Sequence, residues 1–335
     1  MSPQAPRPVP GRTPLLRAAA FAAAPPCLVL WASPPTALLA GLAFALGFGH
    51  PFAARAHGAG RWLLQACVVL LGFGMNLPEV LRLGLGGSAF AAVSIAATLG
   101  LGLWLGPRLA LDRKTSALIS AGTAICGGSA IAAVSSVIAA SEAQVAVSIG
   151  TVFMLNAVAL YAFPAVGHLL HLSQAQFGLW AGVAIHDISS VVGAGMSYGP
   201  DAMAVATAVK LSRTLWIVPI TLALALALGR RRAAHPAPGG GGPRRRAGVA
   251  VPWFIALFLL ASLLRGAVPS VGARSPELLD IARRGMVLVL FLIGASLSLR
   301  ALRAVGWRTV AVGSALWAFI SAGSLAAILA LHLAP

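Results

Sequence analysis

Long apolar segments are the feature that most constrains how this chain can fold. The sequence is 59% hydrophobic and only 9% charged, which is unlike the composition of soluble domains. A helix needs about 20 apolar residues to cross a bilayer, so the sequence predicts an all-α, multi-pass membrane protein. About eleven transmembrane helices are predicted, near residues 14–33, 36–50, 62–77, 87–106, 115–139, 144–163, 177–199, 203–228, 249–265, 285–299 and 307–333.

The basic residues predict how these spans are oriented. With a cytoplasmic N-terminus, seventeen of the 24 Lys and Arg residues fall on the cytoplasmic side and five on the outside, as the positive-inside rule requires. We treat 1–335 as one membrane domain, in which the Arg-, Pro- and Gly-rich stretch 229–248 is a flexible basic cytoplasmic loop. It separates eight spans (14–228) from three (249–333). The net charge of +17 indicates no nucleic-acid partner, because the basic residues form no patch with interleaved aromatic residues.

Four ionisable residues lie inside the predicted spans, where charge is costly and marks transport or ligand sites. They are His186, Asp187, Lys210 and Arg213. Lys210 and Arg213 are three residues apart and share a helix face, and one carboxylate cannot neutralise both. The surplus positive charge predicts an anionic partner, because Arg binds carboxylate, phosphate or sulfate bidentately and Lys adds a point charge. Snorkelling of both side chains to the outer interface is the alternative.

Adjacent glycines predict a break in the fifth span. Gly127 and Gly128 stand near its middle, followed by Ser129. A broken span is tolerated only where protein or a water-filled cavity satisfies the exposed backbone groups. We expect Ser129 to cap the outer half-helix, whose positive end then points to the midplane and favours an anion. Close helix packing through small residues is the alternative.

The seventh span has a similar pattern with charge added. A histidine next to a carboxylate, as in His186 and Asp187, can relay a proton. Ser189 and Ser190 offer hydroxyl groups or a second half-helix cap. The alternative is that Asp187 pairs with a cation of the eighth span and only holds helices together.

Two internal similarities suggest a repeated architecture. Residues 70–77 resemble 292–299, and these segments run in opposite directions in the predicted topology. Residues 121–125 resemble 181–185 more closely, but these run in the same direction. Inverted repeats are therefore expected, without a consistent choice of repeat partners.

The remaining polar residues and cysteines do not indicate a ligand-binding or catalytic site. Asn76 and Asn156, both inside spans, are predicted to form interhelical hydrogen bonds rather than ligand contacts. The sequence has no phosphate loop, zinc-binding helix or nucleophile elbow, and its three cysteines match neither a disulfide framework nor a metal site. We therefore expect no enzymatic activity, no cofactor and no metal.

Four segments resemble the family of bacterial multi-pass inner-membrane proteins named for a proposed sulfate export. They are residues 72–77, 121–133, 184–195 and 209–213. The resemblance implies membership in a larger grouping of cation/proton antiporters and anion transporters, with inverted repeats, crossing discontinuous helices and alternating access. The residues that it carries over are Cys126, Gly127, Gly128, Ser129, His186, Asp187, Lys210 and Arg213.

The sequence thus predicts a secondary transporter of a small inorganic or organic anion, with sulfate as the model substrate. Lys210 and Arg213 would attract the anion, the half-helix ends near Ser129 and Ser189 would complete the site, and His186 with Asp187 would couple protons. The expected partners are the anion and the lipid bilayer of the bacterial inner membrane, and a homo-oligomer is left open. Alternatives are a cation/proton antiporter that uses Asp187, or a non-transporting membrane scaffold or sensor.

Overall fold

The computed structural model describes residues 34–48, 53–75, 77–78, 88–234, 253–296 and 305–330. Every regular element in this part of the chain is a helix, which confirms the all-α prediction. The first predicted span (14–33), Asn76 and most of the basic loop lie outside the described residues.

Fourteen helices occur in the described part of the chain, numbered here in order. They are α1 Pro34–Phe48, α2 Ala53–Gly72, α3 Ser88–Arg108, α4 Arg113–Ala124, α5 Gly128–Ile138, α6 Glu142–Leu169, α7 Gln174–Ala184, α8 Ile188–Tyr198, α9 Pro200–Leu215, α10 Ile217–Ala234, α11 Trp253–Ala267, α12 Pro269–Ala273, α13 Ser275–Ser296 and α14 Trp307–Ala330.

Four helical stretches among the described residues are long and apolar enough to cross a bilayer. They are Ala89–Arg108 in α3, Glu142–Leu169 in α6, Pro200–Leu224 across α9 and α10, and Trp307–Ala330 in α14. At about 1.5 Å per residue, the 28 residues of α6 extend over roughly 42 Å, which exceeds the hydrocarbon core of a membrane.

Helices α4 and α5 form a re-entrant hairpin, called hairpin 1, with its tip at residues 125–127. The Lys114 ammonium, in the first turn of α4, donates a hydrogen bond of 2.7 Å to the carbonyl of Ala139, just beyond α5. The two ends of the hairpin therefore lie on the same face of the protein. The prediction that 115–139 crosses the membrane is wrong, because the break at the tip turns the chain back.

The base of hairpin 1 is fastened by Asp112. Its carboxylate caps α4 by accepting hydrogen bonds from the backbone of Lys114 and Thr115, and it accepts another from the Gln144 side chain in α6 at 2.8 Å. Burial by itself would raise the pKa of Asp112, but these hydrogen bonds outweigh it and hold that pKa below its usual value. The cap is thus ionised at neutral pH and ties hairpin 1 to the start of α6.

Helices α7 and α8 form a second re-entrant hairpin, called hairpin 2, with its tip at residues 185–187. The hydroxyl of Tyr198, at the end of α8, donates to the carbonyl of Leu172, just before α7, at 2.6 Å. The Gln174 side chain also accepts a hydrogen bond of 3.0 Å from the backbone of Asp201, in α9. The sequence leaves open whether the span at 177–199 crosses the membrane or re-enters, and these contacts show that it re-enters.

The two hairpins enter the protein from opposite faces, because the long helix α6 separates the base of one from the base of the other. Hairpin 1 starts at the face that carries Arg108, Arg113 and Lys114, which we call the basic face. The start of α14 lies at this face too, where Arg308 approaches the carbonyl of Ala110 at 3.5 Å. Each re-entrant hairpin reverses the predicted direction of the chain that follows it. Because there are two hairpins, the spans after hairpin 2 keep the directions relative to this face that the sequence predicted.

Entry of the two hairpins from opposite faces also explains how the similar segments are related. The similar segments 121–125 and 181–185 lie at the ends of α4 and α7, the inward arm of each hairpin. Because these arms run in opposite directions, they are related as inverted repeats are. The predicted parallel direction was wrong for the same reason as the span count: both hairpins had been taken for crossings.

A second group of helices packs on hairpin 2. Helices α1, α2, α11 and α13 contact one another, and α8 lies against α1 and α13. The contact is largely apolar: Ile188 and Val192 of α8 belong to one buried cluster with Val68, Leu71 and Met286. The hairpins, α6, α9 and α14 thus form a core that rests on a separate helical layer.

Labelling of single cysteines tests the re-entrant topology. In a variant without the native cysteines, Arg113→Cys and Ser141→Cys flank hairpin 1, while His171→Cys and Asp201→Cys flank hairpin 2, and all four positions are exposed. We expect an impermeant thiol reagent, applied to oriented membrane vesicles, to label the first pair from one side and the second pair from the other. Labelling of 113 and 141 from opposite sides would restore the crossing topology.

Candidate functional site

The tips of the two hairpins meet inside the protein. Gly127, in tip 1, has φ +65° and ψ −124°, the conformation of the first central residue of a type II′ turn. A Cβ at Gly127 would lie 3.4 Å from the carbonyl oxygen of His186 in tip 2 and 3.4 Å from the Val152 side chain of α6. Both tips thus lie against the middle of α6.

The two cations of α9 bind the open end of α4. Arg213 donates hydrogen bonds to the Ala124 carbonyl at 2.5 Å and to the Ser94 hydroxyl of α3 at 2.8 Å. The Lys210 ammonium donates to the Ile125 carbonyl at 3.3 Å. The last carbonyls of a helix have no partners within the helix and form its negative end, so the break places these acceptors where a cation can use them.

Burial of these two side chains excludes the snorkelling alternative in this structure. Lys210 is 0% and Arg213 1% exposed. Neither has a carboxylate within ion-pair distance, and the one ion pair formed by described residues joins Arg284 to Asp280. Pairing of Asp187 with either cation, the structural alternative, is therefore not present. The two cations are therefore buried, as the sequence predicted, and they donate hydrogen bonds only to uncharged oxygen atoms among the described residues.

Asp187 caps hairpin 2. It occupies the N-cap position of α8 and accepts a hydrogen bond from the backbone of Ser190 at 3.3 Å. The hydroxyl groups of Ser189 and Ser190 also donate to its carboxylate. Of the two roles that the sequence offered for Ser189 and Ser190, the half-helix cap is wrong, because the carboxylate two or three residues earlier takes that position. The serine hydroxyls donate to this carboxylate instead.

The positive end of α5 has no side-chain cap. Gly127 is the N-cap residue and offers no side chain, while Ser129 lies within the first turn of the helix and is exposed. The prediction that Ser129 caps α5 is therefore wrong, because the helix begins one residue before this serine. The uncapped N-terminus of α5, at Gly128, adds to the positive character of tip 1.

His186 and Asp187 are neighbours in sequence but not partners. Both imidazole nitrogens are buried without a hydrogen-bond partner among the described residues, so the predicted histidine–carboxylate relay is not formed in this structure. The backbone N–H of His186 instead donates to the Asn156 side chain of α6 at 3.1 Å. This confirms the prediction that Asn156 makes an interhelical hydrogen bond.

Each tip is therefore held by the long helix that follows the other hairpin. Asn156, on the helix after hairpin 1, binds tip 2, while Lys210 and Arg213, on the helix after hairpin 2, bind tip 1. The sequence did not single out Ser94 or Thr123. A serine in an apolar helix usually bonds to its own backbone, so only the position of Ser94 beside Arg213 reveals its role.

Chemically, the meeting of the tips suits a ligand with negative charge. Two buried cations face one half-buried carboxylate, and among the described residues no group of three His, Cys, Asp or Glu side chains could hold a metal ion.

Comparison with known proteins shows the family to which the chain belongs. The family described as conserved hypothetical protein 698 matches residues 28–313. The chain belongs to this family. A UPF0324 membrane protein of Porphyromonas gingivalis is 48% identical over 305 residues, covering 89% of this chain and 88% of the relative. One of Bacteroides thetaiotaomicron is 44% identical over 303 residues, covering 89% and 87%.

No solved structure matches the chain. The relatives' names, together with the apolar helices, show that the members of this conserved bacterial family, including this chain, are membrane proteins.

Replacement of Gly127 tests the geometry of tip 1. We expect Gly127→Ala to destabilise the protein by about 1–3 kcal/mol, the cost of forcing a side chain into a sparsely populated backbone conformation. The matched control is Gly128→Ala, because Gly128 is helical and an added Cβ would meet nothing closer than the Phe153 ring at 3.7 Å. Thermal unfolding in detergent measures both, and equal stability of the two variants would contradict the described tip.

Proposed function

We propose that this chain is a secondary transporter of a small inorganic or organic anion, with sulfate as the model substrate, and that the anion binds where the hairpin tips meet. The observation that carries the proposal is the burial of Lys210 and Arg213 without a carboxylate partner. Charged residues deep in membrane helices are costly and pair with opposite charge. An anionic substrate supplies the charge that the protein does not.

The local charge balance supports the same substrate class. The two cations and the one carboxylate, Asp187, leave a surplus of one positive charge. The carbonyl groups at the end of α4 carry partial negative charge and reduce the positive potential, but the uncapped N-terminus of α5 adds a partial positive charge. A small cation would be repelled by this arrangement, whereas an anion gains from both the side chains and the helix end.

Alternating access follows from the two hairpins. Hairpin 1 separates the tips from the basic face and hairpin 2 separates them from the opposite face, so movement of one hairpin at a time would open the site to one side. The largely apolar contact between α8 and its neighbouring helices offers a surface on which such movement breaks few hydrogen bonds. By the positive-inside rule the basic face would be cytoplasmic, which supports a location in the bacterial inner membrane.

A second candidate function uses Asp187. Its carboxylate is half-buried and has no cation within ion-pair distance among the described residues, as the exchange site of a cation/proton antiporter requires. In the anion transporter the same group would balance charge, with the buried His186 available for proton coupling.

Transport assays of Arg213→Gln and Lys210→Gln test the anion proposal. Each variant removes one of the two buried positive charges together with its charge-assisted hydrogen bond to tip 1, which contributes about 1.5–3 kcal/mol. Each should therefore lower sulfate flux into proteoliposomes by roughly tenfold to a hundredfold. Arg265→Gln is the matched control, because Arg265 also donates to a backbone carbonyl, that of Gly74, but lies away from the tips. Flux that is equal in Arg213→Gln and the parent would contradict the proposal.

Asp187→Asn distinguishes the two candidate functions. An asparagine side chain keeps an oxygen for the N-cap hydrogen bond and loses only the charge. The anion transporter should retain sulfate flux in this variant, since the surplus of positive charge grows. A cation/proton antiporter should instead lose its ability to dissipate a pH gradient when Na⁺ or K⁺ is supplied, and that result with no sulfate flux would favour the second candidate.

A further inference from the structure

We infer that the anion is recognised directly by Thr123, Asn156 and His186, while Lys210 and Arg213 position tip 1 and supply charge. The inference rests on the proposed function and assigns the contacts within its site. The inference goes beyond the sequence prediction, which did not include Thr123 in the anion site and gave Asn156 a structural hydrogen bond instead of a ligand contact.

Four nitrogen atoms carry the hydrogen-bond donors of the two cations, and three of these atoms already donate to the protein. Both terminal nitrogens of Arg213 donate, one to Ser94 and the other to Ala124, and Lys210 donates to Ile125. Of the Arg213 guanidinium only Nε has no partner. An anion that took over the donors in use would have to displace the carbonyls of Ala124 and Ile125, which hold tip 1 in place. In the described arrangement the two cations therefore attract the anion electrostatically and hold tip 1 in position.

Five other side chains have buried polar atoms without a partner among the described residues, two of them in α14 (Trp317 and Ser321) and three in the last turn of α4, in tip 2 and in the middle of α6. The last three concern the site. They are the Thr123 hydroxyl, the amide nitrogen of Asn156 and both ring nitrogens of His186. Their residues are only 1%, 3% and 1% exposed. Buried polar groups are nearly always hydrogen-bonded, so an unpartnered group calls for an explanation, and three of them at the meeting of two hairpins point to a ligand.

The orientation of Asn156 is determined by its neighbour. The backbone N–H of His186 is a donor, so the amide oxygen of Asn156 must face it. The amide nitrogen then faces away from that bond as a free donor. A hydrogen-bonded contact thus keeps the imidazole of His186 and the donor of Asn156 in one small region beside tip 2.

Thr123 belongs to the same region through α6. Val152 and Asn156 are one turn apart on α6 and share a face. A Cβ at Gly122 would lie 3.3 Å from the Val152 side chain, and one at Gly127 would lie 3.4 Å from it. The last turn of α4, which carries Thr123, and tip 1 therefore pack on the stretch of α6 that also holds tip 2.

The chemistry of the donors narrows the substrate class. A hydroxyl, an amide and an imidazole each offer a directional N–H or O–H group, and they come from three different elements. An oxyanion presents several oxygen acceptors in different directions and can satisfy all three. A halide has no directional acceptors, so the arrangement favours a small oxyanion such as sulfate over chloride.

Two buried threonines provide a matched test. Thr123 and Thr207 are both 1% exposed, but the Thr207 hydroxyl already donates to the Met203 carbonyl at 2.7 Å. We expect Thr123→Val to weaken the binding of labelled sulfate to detergent-purified protein about tenfold, as the loss of one hydrogen bond to a charged ligand implies. Thr207→Val should leave the affinity within about twofold, and Thr123→Ser, which keeps the hydroxyl, should restore it.

Asn156→Asp provides a second test at the other tip. The variant keeps an oxygen to accept from His186 but removes the donor and adds negative charge, so sulfate binding should be lost. Thermal unfolding without ligand shows whether the variant is folded. If it is not, Thr123→Val and Thr207→Val decide the outcome by themselves.

The results separate the inference from the proposed function. If the parent binds neither sulfate nor other small anions, the proposed function fails. If the parent binds sulfate but Thr123→Val and a folded Asn156→Asp bind it equally well, only the assignment of these contacts fails. Chloride and unlabelled sulfate can also be compared as competitors of labelled sulfate at an equal concentration of negative charge. If chloride competes as well as sulfate does, only the claim that the site selects oxyanions is overturned.

Discussion

The hydrogen bonds from Lys210 and Arg213 to the end of α4 are the interactions on which the rest of this structure depends. A helix that ends inside a membrane protein leaves carbonyl groups that lipid cannot satisfy. Cations from α9 satisfy two of them, at Ala124 and Ile125. The same bonds allow two cations to stay buried without a carboxylate. Hairpin 1 and the cations thus stabilise each other, and the net charge that remains is available to a substrate.

A reciprocal arrangement at the other tip gives the molecule its internal symmetry. Asn156 binds the backbone of hairpin 2, as the two cations bind hairpin 1, and in each case the contact comes from the long helix that follows the opposite hairpin. Movement of either hairpin must therefore break contacts with the other half of the core. This coupling is what a transporter needs if its two faces are never to be open together.

The sequence predicted the burial of Lys210 and Arg213 better than it predicted the path of the chain. Hydropathy detects apolar length, and 115–139 is long enough to cross a membrane or to form two half-length helices that turn back. The direction is decided by contacts between distant residues, such as Lys114 with Ala139 and Tyr198 with Leu172, which no local pattern contains. The predicted capping residues lie two or three positions after the actual N-caps, Gly127 and Asp187, for a related reason. Serine and aspartate are both good N-caps, so the register depends on where the tip turns.

Equilibrium binding to charge variants tests the central claim most directly. The claim is that surplus positive charge between the tips binds an anion. Labelled sulfate should bind the parent, fail to bind Lys210→Gln, and bind again, at least in part, to the double variant Lys210→Gln with Asp187→Asn, in which the surplus of one positive charge returns. Binding that is the same in all three proteins, or absent from the parent for sulfate and for every other small anion, would contradict the account.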